Sequence, residues 1–506
     1  MTDMANPDAN SIQESEFSAA DASQMAALLS QLVGARIVCV GDLMLDRYVE
    51  GRVNRLSPEA PIPVLEVQQE TAMLGGVGNV LRNLAAVGVT VELVAAVGVD
   101  RAGHELASLL AHEPRVTPRL VSIPGRQTSV KTRFVAGKQQ LLRADNETTE
   151  PINEADHRSL LEDATAALAN VPGAPLVLSD YGKGVLDDAL TRALISLARE
   201  QNRVVVVDPK GRDYGKYRGA TLLTPNRLEL ALATGMPTET DEEVAAACRK
   251  LIADDDIAAV LATRSERGMT LVDRDSVHHL PARAREVFDV SGAGDTVVAI
   301  VTASLAAGAP LPLAAKLANL GAGVVVGKVG TAVAHPAEIL TALHESEFMD
   351  AEAKVVTKAA MLDRVQTWRR RGWRVGFTNG CFDLLHPGHI ALLKQARSAC
   401  DRLVVGLNSD ASVKRLKGAG RPIQGEMSRA AVLASLATVD LVVIFHEDIP
   451  LALINALRPD VLVKGADYSL DEVVGAEEVQ SWGGKVVLAD ILDGHSTSDT
   501  IRRFAP

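Results

Sequence analysis

The stretch Asp289-Val290-Ser291-Gly292-Ala293-Gly294-Asp295 decides the reading of the front part of the chain. It follows an expected strand, Arg285 to Phe288, and opens a long apolar segment at Thr296. Glycines at 292 and 294 leave little bulk over the loop, so Gly292, Ala293 and Gly294 can bring backbone N–H groups close to an anion. The helix that follows adds the positive end of its dipole. An acid at Asp295 would then sit beside a bound phosphate and could take a proton from a hydroxyl attacking it. A glycine-rich turn with a capping Asp is the alternative for this motif taken alone.

Working outward, 506 residues exceed what one core usually serves, which points to two domains. A net charge of −12 argues against a general nucleic-acid or anionic-membrane binder. Any phosphate must therefore be held by local loops. Cys39, Cys248, Cys381 and Cys400 are scattered without a C-x-x-C pair, which fits a reducing cytoplasm and no zinc site. Thr296 to Ala315 carries no charge, but Gly308, Pro310 and Pro312 interrupt it, so it reads as a buried helix and not a membrane span. Residues 1–25 are acidic and Ala/Ser-rich, read as a disordered tail without a signal-peptide pattern.

From residue 26 to 341, strand and helix patterns alternate, giving a doubly wound, mainly parallel sheet. Arg36 to Val40 is its first buried strand and delivers Asp42 and Asp46 past a carboxyl end, where α/β sheets bind ligands. Ser57 to Val67 and Thr128 to Leu142 read as a small β lid, the first too proline-dotted for a central strand. Gly75-Gly76-Val77-Gly78-Asn79 opens a helix; its glycines admit a substrate, and Asn79 offers donor and acceptor to a polyol. A structural cap is the rival for Asn79, as a turn cap is for Asp42. Asn226 and Glu229, three apart at a helix start, suit a magnesium ion held by Glu229 through water, or else a capping box.

In this order, Gly75-Gly76-x-x-Asn79, Asn226-x-x-Glu229 and Asp289-x-x-Gly-Ala-Gly-Asp295 resemble the ribokinase-like carbohydrate kinases. The resemblance implies Asp295 as base and Gly292, Ala293 and Gly294 as the anion hole. Asn226 and Glu229 would handle magnesium and phosphate, with Thr263, Gly268 and Asn319 near the nucleotide. Asp42, Gly75, Gly76, Asn79 and Lys183 would face the sugar.

Residues 342–372 read as a helical connector, and 373–506 as a second, Rossmann-like domain. Strand Arg374 to Thr378 runs into Asn379-Gly380-Cys381-Phe382-Asp383-Leu384-Leu385-His386-Pro387-Gly388-His389 and a helix. Two histidines three apart can both face phosphate above a helix start; no third ligand at zinc spacing supports metal. The pattern resembles the cytidylyltransferase-like nucleotidyltransferases. It implies that His386, His389 and Lys414 or Lys417 stabilise phosphate charge, with Phe382 and Asp383 at the nucleotide and Ser496 and Thr497 at the triphosphate end.

Joined, the halves resemble the bacterial bifunctional heptose 7-phosphate kinase/heptose 1-phosphate adenylyltransferases. Gly41 to Tyr48, Ser57 to Pro61, Leu178 to Tyr181, Arg218 to Asn226 and Asn408 to Ser412 carry that likeness. It implies ATP as co-substrate in both halves, Mg2+, phosphosugar substrates, a separate phosphatase acting between the steps, and ADP-heptose made for the lipopolysaccharide core. A homodimer through the lid is expected, as in related kinases. The alternative is the same chemistry on another sugar or with CTP.

Overall fold

A computed structural model describes residues 12–14, 19–137, 139–282, 287–328, 330–466 and 469–490. Two compact units divide the chain, one ending at Leu343 and the other running from His344.

The first unit is built on a ten-stranded sheet. Its order is Ile12–Glu14, Val277–Leu280, Met269–Asp273, Ala259–Thr263, Leu222–Leu223, Val205–Asp208, Leu176–Ser179, Arg36–Gly41, Thr90–Gly98 and Val116–Ile123. From Ala259–Thr263 to Val116–Ile123 every neighbouring pair is parallel, whereas Met269–Asp273 is antiparallel to both its neighbours. The central strands are β-branched and buried along their length, as sheets covered by helices on both faces require. Their carboxyl ends therefore rise together on one side. The apolar segment after Asp295 divides at Gly308 into helices Ala293–Ala306 and Leu311–Val326, both largely buried. Among the described residues no helix is long and apolar enough to cross a membrane.

A second sheet in this unit orders Pro63–Gly76, Leu43–Leu56, Val130–Ala136 and Gln139–Asn146. Pro63 heads an edge strand, where its missing N–H removes no ladder bond. The expected lid thus exists, but it reaches further than the sequence pattern suggests. Leu43–Leu56 is a 14-residue strand, so Asp46 belongs to the lid and not to a loop.

The second unit holds a five-stranded parallel sheet in the order Leu441–Phe445, Arg402–Asn408, Val375–Gly380, Val461–Gly465 and Lys485–Ala489. This is the Rossmann-like arrangement expected.

Three local expectations need correction. Residues 12–14 pair with Val277–Leu280 as a strand and Ala19–Gln31 is a helix, so the 1–25 tail contains ordered structure. Ala22 and Met25 are buried, which gives that Ala-rich segment an apolar face to dock. The connector over 342–372 contains helix Lys358–Arg370, whose Met361, Val365 and Trp368 are core of the second unit. Val287 and Phe288 are not strand; residues 283–286 of that expectation lie outside the described residues.

Candidate active sites

The helix Ala293–Ala306 begins at Gly292, whose φ of 79° is the left-handed region that favours glycine. A Cβ at Gly292 would come within 2.5 Å of Asn79 Nδ2, whereas one at Gly294 would meet nothing within 4 Å. The loop is thus pressed against Asn79 on one side and open on the other. Asp289 accepts the backbone N–H of Ser291 at 2.8 Å and of Gly330 at 3.1 Å, fixing the start of the turn.

Asp295 is buried at the first helical turn. Asn79 Nδ2 donates to its Oδ2 at 2.7 Å, and the Tyr181 hydroxyl donates to its Oδ1 at 2.6 Å. Burial pushes its carboxyl up to about 6, while the bonds from Tyr181 and Asn79 restrain the rise. A carboxylate so poised accepts a proton near neutral pH. The early motif and the late one, 216 residues apart, therefore meet on a single carboxylate.

The remaining sugar-side residues divide. Gly75 and Gly76 are demanded by packing: their Cβ atoms would meet Asp46 Oδ2 at 2.6 Å and Asp42 O at 2.3 Å. Asp42 accepts backbone N–H groups from Tyr181, Lys183 and Val185 at 2.8, 3.0 and 3.3 Å. Its carboxylate pins the loop that carries Tyr181 and is not directed outward to a sugar, the correction its turn-capping alternative anticipates. Lys183 donates to Glu147 Oε1 at 2.5 Å.

On the nucleotide side, Asn226 and Thr263 pair across the carboxyl ends of their strands. Asn226 Oδ1 accepts the Glu229 N–H at 2.9 Å and Glu229 Oε2 accepts the Asn226 N–H at 3.0 Å, so the capping box is present. Glu229 Oε1 remains directed to Lys210 Nζ at 2.6 Å. Gly268 serves the turn itself, since a Cβ there would lie 2.0 Å from Leu280 O. Asn319 donates to Pro281 O at 2.8 Å. Two groups escaped the sequence reading. Tyr181 shows only its place beyond a strand's carboxyl end, and Asp208 ends the adjacent strand, level with Ser179. Burial, then the charges of Asp295 and Glu229, push the Asp208 carboxyl well up.

In the second unit, the chain leaves Val375–Gly380 through Phe382, at φ 43°, and enters helix Pro387–Ser398 with His386 as N-cap. The His386 and His389 rings stack with centroids 3.8 Å apart, and Phe382 lies 5.1 Å from His389. Burial, helped by the neighbouring His386, lowers His389 to about 4, so its ring is neutral at pH 7. Asp383 is a second correction. It accepts Arg421 Nε at 2.5 Å and the N–H groups of Ile423 and Gln424 at 2.7 and 3.2 Å, which orders that loop and leaves no anion facing phosphate. Helix Asp410–Lys417 carries Lys414 and Lys417 in its last turn. Lys417 bears on the thiol of Cys381, beside the histidine turn. The buried Arg429, which has no sequence signature, donates to Cys381 O, Gln424 O and Asp410 Oδ1 at 2.6, 2.9 and 2.7 Å. Ser496 and Thr497 lie outside the described residues.

Residues 35–338 match the pfkB family of carbohydrate kinases, and residues 377–502 match the cytidylyltransferase-like family. Fold and loops together define a carbohydrate kinase joined to a nucleotidyltransferase. Bifunctional protein HldE of Rhodospirillum rubrum is 59% identical over 481 residues, 95% of this chain and 97% of that protein. HldE of Paramagnetospirillum magneticum is 58% identical over 483 residues, covering 95% and 99%. A crystal structure of Escherichia coli phosphofructokinase-2 covers 62% of this chain and 99% of its own, with a TM-score of 0.53 at 21% identity, a likeness of fold. The chain belongs to the HldE family of bifunctional proteins, with the heptose kinase and adenylyltransferase activities of ADP-heptose synthesis in one polypeptide.

Proposed function

We propose that Asp295 is the general base in ATP-dependent phosphorylation of D-glycero-D-manno-heptose 7-phosphate at its anomeric hydroxyl, and that the histidine turn guides adenylyl transfer from ATP to heptose 1-phosphate. The observation that carries the first half is the meeting of Asn79 and Tyr181 on one buried carboxylate held near 6. Asp295 takes the C1 hydroxyl proton as that oxygen attacks the γ-phosphorus of ATP, and ADP leaves. The open backbone at Gly294 and the first N–H groups of the helix receive the phosphoryl oxygens.

A magnesium ion fits this half. Asp208 is buried among the like charges of Asp295 and Glu229, a set that a divalent cation would relieve. Among the described residues no cluster of three or more acidic, His or Cys groups could hold it directly, so Glu229 and Asp208 would act through water and phosphate oxygens. When bound, it supplies neutralisation of phosphate charge.

In the second half, a phosphate oxygen of heptose 1-phosphate attacks the α-phosphorus of ATP in line and pyrophosphate leaves. His386 and the neutral His389 donate hydrogen bonds to the phosphates, with Lys414 or Lys417 adding charge. The first product carries two phosphates and the second substrate one, so a separate phosphatase must act between them. A second copy would join through the lid, whose outer strand Gln139–Asn146 is exposed along its whole length, including Leu141 and Leu142. Phosphorus NMR of the full chain tests the reading. With ATP and heptose 7-phosphate it should show ADP and a new anomeric phosphate; with heptose 1-phosphate it should show pyrophosphate, suppressed by His386→Ala by about 10²–10³-fold. Phosphorylation elsewhere on the sugar, or undiminished pyrophosphate from the variant, would refute it.

A further inference from the structure

One face of the lid is a row of charges. Across the ladder, Asp46 stands beside Lys131 and Tyr48 beside Arg133, while Lys131 faces Asp145 and Arg133 faces Arg143. Partners in register share a face. That face is turned toward the kinase site, because Thr331 bonds Met73, the residue in register with Asp46, at 3.0 Å.

Most cations here already have a carboxylate. Arg133 pairs with Asp46 at 2.8 Å, Arg143 with Asp145 at 2.9 Å and Lys183 with Glu147 at 2.5 Å. Lys131 is different: among the described residues no carboxylate lies within the 4.0 Å of an ion pair. Its ammonium lies 5.6 Å from the Tyr181 ring centre, and that tyrosine's hydroxyl is the one bonded to Asp295. Burial lowers the Lys131 pKa, while Asp46 acts to raise it. Asp46, Glu147 and Asp145 act on this partly buried cation only from beyond ion-pair distance, so a ligand anion in direct contact would gain a charge-assisted bond that no side chain now makes. The ammonium stands over the face of that ring and on the lid face that also carries Asp46 and Arg133, so an anion entering between the lid and the base would meet it.

We infer that Lys131 receives the phosphate monoester at the far end of the sugar, the group that distinguishes heptose 7-phosphate from the free heptose. This inference rests on the substrate reading above. Its alternative is a contact with the phosphoryl group in transfer, and the two separate kinetically. Kinase assays on the full-length wild type, Lys131→Met and Lys131→Arg with heptose 7-phosphate distinguish them. The expected result for Lys131→Met is a rise of about 30-fold in sugar KM, from loss of one charge-assisted contact, with a much smaller change in kcat. Lys131→Arg, which keeps the charge and the fold of the lid, should recover most of that affinity. A fall in kcat at unchanged KM, or no change in either, would overturn the assignment while leaving the substrate in place. Wild-type enzyme that fails to turn over heptose 7-phosphate would overturn the substrate reading itself and Lys131's role with it.

Discussion

Replacing Asp295 with Asn should abolish the kinase and stabilise the fold, and the second effect has a calculable pH dependence. The carboxyl ordinarily ionises at 3.8 and in the folded protein at about 6. Below pH 3.8 both states hold the proton and the group is neutral to stability. As pH rises, the unfolded chain ionises first, so stability falls until the folded carboxyl also ionises past about 6. The full penalty is about 3 kcal/mol, at about 1.36 kcal/mol per pH unit. Asn resembles the protonated acid and carries no such term. Its Oδ1 can accept from Tyr181, and its Nδ2 can donate to Asn79 Oδ1, which has no partner now, once the Asn79 amide rotates. The hydrogen-bond count is therefore kept. Urea unfolding followed by far-UV circular dichroism at several pH values isolates the effect as a difference of differences. The variant's advantage over wild type should grow by about 1.5 kcal/mol between pH 5 and pH 8. Kinase turnover should fall by about 10²–10⁴-fold with adenylyl transfer intact. A stability gap independent of pH would show that the carboxyl is not held up by burial, and would remove the argument for it as a base tuned near neutrality.

Tyr181→Phe keeps the ring that buries Asp295 but removes a bond that lowers its pKa, so the acid limb of the kinase pH profile should move above pH 6. An unchanged or more acidic limb would contradict this. Arg429→Met leaves the carbonyls of Cys381 and Gln424 without their donor, which should cost the second unit about 3 kcal/mol at about 1–3 per orphaned group. Trp368, Trp373 and Trp482 are the chain's only tryptophans and all lie beyond residue 343, so their fluorescence reports that unit's unfolding. A loss under about 1 kcal/mol would mean that water replaces the guanidinium.

How far the sequence is legible follows from what each feature depends on. Buried runs such as Arg203 to Val207 and glycine turns such as Gly292 to Gly294 declare themselves because they depend on local periodicity and backbone freedom. Asp295, His386 and His389 were readable for the same reason: each sits in a turn that opens a helix, a local pattern with a stated chemistry. Tyr181 was not, because its role exists only where two loops 114 residues apart meet. Leu43–Leu56 was mistaken at its start because Asp42 and Asp46 look like loop acids, and only pairing with Pro63–Gly76 makes the segment a strand. The segment over 358–370 reads as a connector because its apolar stripe is thin: only Met361, Val365 and Trp368 are fully buried, with Leu362 packed partly against the same core.

Asp42 and Asp383 show why motif acids near phosphate need not touch it. Each stands just beyond the carboxyl end of a buried parallel strand, Arg36–Gly41 or Val375–Gly380, and was assigned to ligand binding. Each instead gathers backbone N–H groups: three from residues 181–185 in one case, two from 423–424 plus Arg421 in the other. A carboxylate aimed at a bound triphosphate would repel it, whereas one turned inward fixes the loop that borders it. The loop ordered by Asp42 then delivers Tyr181 to the base, and the loop ordered by Asp383 is further tied at Gln424 O by Arg429, which also bonds Cys381 in the histidine turn. The requirement at both positions is thus for an acceptor with several lone pairs in a buried setting. That is why an aspartate is needed there, although the site it supports receives an anion.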